Sequence, residues 1–293
     1  MLEPHKSLAI SADETDDSQL SLADFRLAIE KALEGKKFDA MVFFSCLTNM
    51  VEVGYGLRDL TSYIVASQDE IRIVNHPPGK FQIRGIKLEE PIRAMQSNPL
   101  ISMIDFGKIT IDTFMDQYTR DLKLIDRSGQ PYTCRYSAAL AFVDCRNFGQ
   151  LANYLNSFAD YVRKRLRSEE HTLPLLDEIR SSLDRTQRFP SFLNLEYYDV
   201  QDFLLNLAAQ TRDIQLQTLC RDIVAFIKNK VIVYEKHTND CESNGLSIYL
   251  SNYLIPDNIF QSHQAMYRRS KFCEDTSWDE MIDVIRSRMR AHR

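Results

Sequence analysis

The sequence predicts an α/β fold in which helices cover a mostly parallel sheet. Apolar, strand-like runs alternate with amphipathic helical stretches on short connections through the first half. One of these runs, "FDAMVFFSC" (38–46), is apolar for long enough to be buried on both faces. The length of 293 residues, with 44% hydrophobic, is enough to bury a sizeable core as one large domain or two smaller ones.

Taken in order, "KSLAISA" (6–12) reads as a strand and "DETDDSQ" as an acidic loop. "LSLADFRLAIEKALEG" reads as a helix, with Ser21 and Asp24 near its start and Gly35 at its stop. After the 38–46 strand, "NMVEVGYGLRDLT" reads as a helix despite Gly54 and Gly56, and "SYIVASQ" (62–68) as a further strand. "NHPPGKF" carries strong turn signals. Two helices, "RGIKLEEPIRAMQSNP" and "DFGKITIDTFMDQYTRDL", and the strand "YSAALAFVDC" (136–145) complete the first half. The second half is more helical. "FGQLANYLNSFADYVRKRL" is a long amphipathic helix, and "HTLPLLDEIRSSLDRTQRFPS" (171–191) a long helical connection. Asp199 is positioned to cap a Leu- and Phe-rich helix. "RDIVAFIKNKVIVYEK" moves from helix into strand, "NGLSIYLS" (244–251) is a strand opened by Asn-Gly, and Trp278 anchors the last helix to the core. Residues 1–150 are expected to form the core with the Cys46 strand. Residues 151–293 form a helical extension with returning strands, packed on the same core.

The net charge of −5 argues against a nucleic-acid partner, because phosphate binding wants a basic surface. The basic cluster "RKRLR" (163–167), followed by Glu169 and Glu170, reads as a solvated helix end. No apolar run approaches a membrane span and no signal peptide is visible, so no membrane partner is expected and a reducing, cytoplasmic setting is the default. Six widely spaced cysteines without a C-x-x-C pair offer neither a zinc site nor a disulfide framework. The "DETDD" loop lacks EF-hand spacing and reads as solvated.

Cys46 closes a strand and precedes a helix, which is where sites collect in α/β sheets. A helix N-terminus beside it would favour the thiolate. A buried structural cysteine is the other reading of the same position. A nucleophile also needs a base. His76, in the loop after the next strand, is the histidine that simple topology brings to the same sheet edge. His5 falls at the opposite edge, and His171, His237, His263 and His292 read as surface or helix-end residues.

"FDAMVFFSCLTNMVEVGYGLRDLTSYIVASQDE" resembles the catalytic block of the clostripain-like cysteine peptidases. In that family an "FDACLM" motif is followed by a Glu-x-Ala-Tyr helix and a strand ending Ala-Ser-Glu. Cys46 matches the nucleophile, Glu52 to Tyr55 the helix with Gly54 for alanine, and Ala66, Ser67 and Gln68 the strand end. "ISADETDDSQLSLADFRLAIEKAL", "YSAALAFVDCRNFGQL", "YYDVQDFL", "NGLSIYLS" and "DTSWDEMI" are similar to further family segments in the family's order. The resemblance implies a caspase-like three-layer sandwich, a cysteine endopeptidase activity on peptide or protein substrates, and Phe44, Ser45, Ser67 and Gln68 against the substrate. It also implies calcium as a cofactor, without placing it on particular residues.

Two departures sharpen the expectation. The family's His-Gly motif ends a strand before the acidic loop, and this chain has no His-Gly dipeptide. The chain therefore resembles the Cys-bearing portion, with the histidine expected from an upstream segment or a separate chain, and His76 as a substitute base. The family's "DAC" is here "FSC", so Phe44 replaces the carboxylate that selects Arg or Lys. Either Phe44 selects an apolar side chain, or it fills the pocket of a catalytically inactive homologue that acts as a protein-binding module.

Overall fold

The computed structural model describes residues 9–12, 19–75, 82–118, 122–125, 128–134, 136–167, 169–190, 196–250 and 256–292. In chain order β1 (Ala9–Ala12) and β2 (Gln19–Ser21) precede α1 (Leu22–Leu33), followed by β3 (Phe38–Val42), α2 (Val51–Leu57) and β4 (Thr61–Ala66). The hairpin β5 (Ile73–Asn75) and β6 (Gln82–Arg84) leads into α3 (Glu89–Ser97) and α4 (Met103–Met115). A second hairpin, β7 (Leu122–Ile125) and β8 (Pro131–Cys134), leads into β9 (Ala139–Asp144). Then come α5 (Phe148–Leu166), α6 (Glu169–Arg185), β10 (Arg188–Pro190), β11 (Glu196–Asp199) and α7 (Val200–Gln210). The chain continues with α8 (Ile214–Phe226), β12 (Ile232–His237), β13 (Ser247–Tyr249), α9 (Asp257–Tyr267), α10 (Lys271–Asp275) and α11 (Trp278–Ala291).

The central sheet has the order β12-β9-β4-β3. β3 and β4 are parallel, while β9 runs against both of its neighbours. The sheet is thus mixed, with β3, β4 and β12 pointing one way and β9 the other. A strand buried on both faces reads as a continuous apolar run whichever way it points, so its direction is not legible from pattern. Alternation along the strands separates two cores. Ile64, Ala66, Ala139 and Val143 face the larger one, with α2, α5 and most of the second half. Val65, Leu140 and Phe142 face the smaller one, with Ile111 and Phe114 of α4. These are the layers of an α/β sandwich. The larger core draws on residues from Leu22 to Met289, so both halves of the chain share it.

Several elements differ from expectation for identifiable reasons. β3 is the edge of the described sheet rather than a strand buried on both faces, and Phe38 is 41% exposed. The helix expected to run on to Leu122 stops at Met115, and Leu122–Ile125 pairs instead with Pro131–Cys134 across a turn with Gly129 at φ 86°. α6 is more than a connection, because Leu175, Leu176, Ile179 and Leu183 enter the larger core. Trp278 is fully buried, donates its indole N–H to the Tyr249 carbonyl (3.0 Å) and lies against Phe158 and Phe272. Among the described residues no helix is long and apolar enough to cross a membrane.

Gly54 shows why α2 tolerates glycine. A Cβ there would lie inside van der Waals contact of the Phe148 ring, so the helix approaches α5 at backbone distance. Overpacking costs roughly 1–3 kcal/mol, against about 1 kcal/mol of helix propensity that alanine returns. Gly54→Ala is therefore expected to lower the urea unfolding midpoint. Phe148→Leu in the same chain is expected to recover part of that loss, and an unchanged midpoint in Gly54→Ala would refute the packing account.

Candidate active site

Past Val42 the chain keeps pairing with β4 for one more bond, Phe43 N–H to the Val65 carbonyl (2.9 Å). It then turns through Ser45–Leu47, with Leu47 left-handed at φ 56°. For a branched side chain that conformation costs roughly 1–2 kcal/mol and persists only where other contacts fix it. Two backbone bonds do so: Leu47 N–H to the Asp69 carbonyl (3.3 Å) and Asn49 N–H to the Ser67 carbonyl (2.9 Å). The turn lifts Cys46 to an exposed position over the segment that follows β4. The Ile71 N–H donates to its Sγ (3.2 Å), and the thiol faces the Ile71 carbonyl at 3.8 Å. This corrects the expected helix N-terminus. α2 begins only at Val51, so the N–H presented to the sulfur belongs to Ile71.

Phe44 is 55% exposed. With Phe25, Ile29, Met41, Phe43 and Ser45 it lines an apolar groove of about 490 Å³ along β3. The Ser45 carbonyl accepts from the Thr48 hydroxyl (2.9 Å). Ser67 and Gln68, expected against the substrate, are buried. The Ser67 hydroxyl donates to the Ala139 carbonyl (2.6 Å), and the Gln68 amide donates to Asp199 (3.1 Å) while its oxygen accepts from Ser243. They hold the loops beneath Cys46 rather than present polar atoms beside it.

His5, His76 and the "DETDD" loop lie outside the described residues, as does the side chain of His171. His263, expected at the surface, is 2% exposed, and burial pushes its pKa down. His237 is exposed at the end of β12, its Nδ1 against the Thr238 carbonyl (3.0 Å). β12 stands two strands from β4, roughly 10 Å at ordinary sheet spacing, which is beyond hydrogen-bond reach. Among the described residues, no group of three or more His, Cys, Asp or Glu side chains could hold a metal ion, so calcium is assigned to none of them.

Sequence reasoning left three buried polar groups without a site role. Glu52, in an otherwise apolar helix, is fully buried; its Oε1 accepts from Tyr267 OH (2.7 Å) and Tyr249 N–H (3.0 Å), while its Oε2 has no partner among the described residues. Burial pushes its pKa up to about 7. Asp199 caps α7 through Asp202 N–H (3.0 Å) and also accepts from Asn244 N–H (2.7 Å). Burial nevertheless pushes its carboxyl up to about 6. Tyr118 is 9% exposed, and among the described residues no hydrogen bond of ordinary geometry reaches its hydroxyl. A lone acid in an apolar helix was a visible signal for Glu52, whereas nothing in the sequence marks Tyr118.

The clostripain family model matches residues 5–284. No curated protein matches the chain. Among solved structures, a cysteine protease of B. fragilis is similar at 20% identity and a TM-score of 0.53, over 92% of this chain and 98% of that one. A clostripain from Bacteroides thetaiotaomicron, solved with a peptide inhibitor, is similar at 17% identity and a TM-score of 0.54, over 90% of this chain and 97% of that one. A secreted C11 cysteine protease from Bacteroides thetaiotaomicron, solved with an irreversible peptide inhibitor, is similar at 17% identity and a TM-score of 0.56, over 91% of this chain and 64% of that one. At these identities the likeness speaks for the fold.

The buried carboxyls make stability depend on pH. Glu52 and Asp199 have folded pKa values above their ordinary 4.5 and 3.8. Between about pH 4 and 7 the folded chain therefore holds protons that the unfolded chain releases, and stability falls as pH rises through that window. For Glu52 the loss is about 3 kcal/mol, complete above about pH 7. The urea midpoint is expected to be higher at pH 5 than at pH 8, with a shallower slope in Glu52→Gln. Equal slopes in the two chains would contradict this.

Proposed function

Because the chain belongs to the clostripain family of cysteine peptidases, we propose that it is the Cys46-bearing part of an endopeptidase whose histidine comes from an upstream segment or a separate chain. One observation carries the reading. Cys46 is exposed at the end of β3, and β3 is the edge of the described sheet beside an apolar groove. An open edge is a template for an added strand. A strand laid along Phe38–Val42 would end next to Cys46 and bring a histidine within hydrogen-bond reach of the thiol.

In the reaction, the Cys46 sulfur attacks the scissile carbonyl carbon and gives up its proton to the histidine, forming a tetrahedral intermediate. The C–N bond breaks as the histidine passes the proton to the leaving amine. Water then cleaves the thioester, releasing the carboxylic acid and restoring the thiol. The Leu47 N–H is already committed to the Asp69 carbonyl, so the oxyanion takes its donors elsewhere. Phe44, exposed beside Cys46, favours an apolar substrate side chain, because a ring cannot give the bidentate pairing that a carboxylate gives arginine.

The test uses the chain with its encoded upstream region and a peptidyl acyloxymethyl ketone. An adduct on Cys46 is expected, lost in Cys46→Ala and retained in His76→Ala. No adduct under any condition would leave the non-catalytic binding homologue. Loss of labelling in a folded His76→Ala would make His76 the base. In the active protein, Phe44→Asp is expected to shift cleavage toward Lys and Arg side chains by roughly tenfold or more, and an unchanged cleavage profile would remove Phe44 from the pocket.

A further inference from the structure

The donor beside Cys46 comes from a turn rather than from a helix. The Ile71 N–H lies 3.2 Å from Sγ, in the chain that links β4 to β5. A turn has no hydrogen-bond ladder to hold its N–H groups in one direction, so side chains must aim this one. After the N–H, the Ile71 side chain does so itself, buried in the smaller core with Ile83 and Ile86. Before it, the task falls to Asp69.

Asp69 is tied at every polar atom. Its N–H donates to the Ser67 hydroxyl (3.0 Å), and its carbonyl accepts the Leu47 N–H (3.3 Å) from the residue after Cys46. In the side chain, Oδ1 accepts the Glu70 N–H (2.8 Å), and Oδ2 accepts the Ser137 hydroxyl (3.1 Å). The Cys241 thiol faces the same Oδ2 at 3.8 Å. Burial pushes that thiol up to about 12, with the charge of Asp69 adding to it, so it keeps its proton and remains a donor. Ser137 lies just before β9, and Cys241 lies between β12 and β13. One carboxylate thus gathers two distant segments onto the turn that carries the donor to Cys46. These bonds run to the backbone and to other loops, so Asp69 acts on the thiol through Ile71 and Leu47.

An N–H held against sulfur favours the thiolate over the thiol, and the thiolate is the nucleophile. The benefit depends on the donor keeping its direction, because a hydrogen bond weakens steeply as it bends. We propose that Asp69 is a positioning residue for Cys46: its side chain, held by Ser137, fixes the turn that aims the Ile71 N–H at the sulfur. The proposal rests on the peptidase reading only for the use made of that thiolate.

The test follows carbamidomethylation of Cys46 by iodoacetamide in the full chain at neutral pH, read on the Cys46 peptide by mass spectrometry. It needs no catalysis. Asp69→Asn is expected to slow the reaction about three- to tenfold, as befits one lost hydrogen bond, and Ser137→Ala is expected to slow it too. The sign separates two roles. A carboxylate near a thiol disfavours the thiolate, so an Asp69 that acted by its charge would make Asp69→Asn react faster. Folding is checked on the buried Cys145 and Cys220, which stay unmodified in an intact chain. Should Asp69→Asn expose them, Ser137→Ala decides, together with the Ile71 amide resonance in a chain carrying isotope-labelled isoleucine. That resonance, identified by its loss in Ile71→Val, is expected to move when Cys46 is modified, and to move less in Ser137→Ala. An unchanged or faster rate in the folded variants, or a resonance indifferent to Cys46, would overturn the positioning role. Slowed alkylation in a protein whose Cys46 never takes the acyloxymethyl ketone would keep that role and remove the peptidase reading. Ketone labelling with unchanged alkylation rates would do the reverse.

Discussion

Asn49 joins the two sheets on which the site depends. Its backbone N–H reaches the Ser67 carbonyl at the end of β4, and its own carbonyl accepts from both the N–H and the hydroxyl of Ser247 at the start of β13. Its side-chain amide donates to the Gly245 carbonyl. A residue buried with its backbone and side chain spent in this way leaves the chain between Cys46 and α2 one path. Leu47 takes its left-handed conformation on that path, with its N–H bonded to the Asp69 carbonyl. Exposure of Cys46 thus follows from what is fixed beneath it.

The same loops concentrate charge where burial makes it costly. Asp199, Gln68, Ser243 and Asn244 form one network under the end of β4, and Glu235 faces Gly245 with an oxygen that has no partner among the described residues. Burial pushes the Glu235 carboxyl up to about 7, and the charge of Asp199 adds to it. On the far side of α2, Glu52 ties that helix to β13 and α9 through Tyr249 and Tyr267. Such groups are expensive if only stability mattered, since apolar replacements of the same shape cost less. What Asp199 and Glu52 Oε1 provide is a single arrangement, because their bonds form only when the helix, β13 and the loop before it are in register.

Parts of this were legible in the sequence because the signal was local. α5 follows its 3.6-residue period from Phe148 to Leu166, Asp199 caps α7, and Trp278 lies buried beneath β13, all readable from short-range chemistry. The position of Cys46 between a strand and a helix was readable in the same way. The illegible parts are those that distant segments decide. Ser67 and Gln68 look like strand-end site residues, yet their partners Ala139, Asp199 and Ser243 lie far along the chain. His263 carries a polar side chain on an amphipathic helix, and packing of the C-terminal helices buries it. The direction of β9 leaves no mark in an apolar run.

The edge at β3 is illegible for a different reason. An apolar strand on an open edge is a hazard, and edge strands are ordinarily protected by lysine, proline or a bulge. β3 is Phe38-Asp39-Ala40-Met41-Val42, with no lysine or proline, and its pairing with β4 runs without a bulge. Apart from Asp39, β3 therefore carries little of the usual edge protection, which suits the strand proposed to lie beside it. The groove along it, with Phe25 and Ile29 of α1 half-buried, is the surface such a neighbour would cover. As the proposed nucleophile, Cys46 makes a parallel demand, since a thiolate mechanism needs a base within hydrogen-bond distance and the described histidines stand elsewhere. One proposed strand, laid on that edge and ending in a histidine, would meet the packing demand of β3 and the chemical demand of Cys46 together.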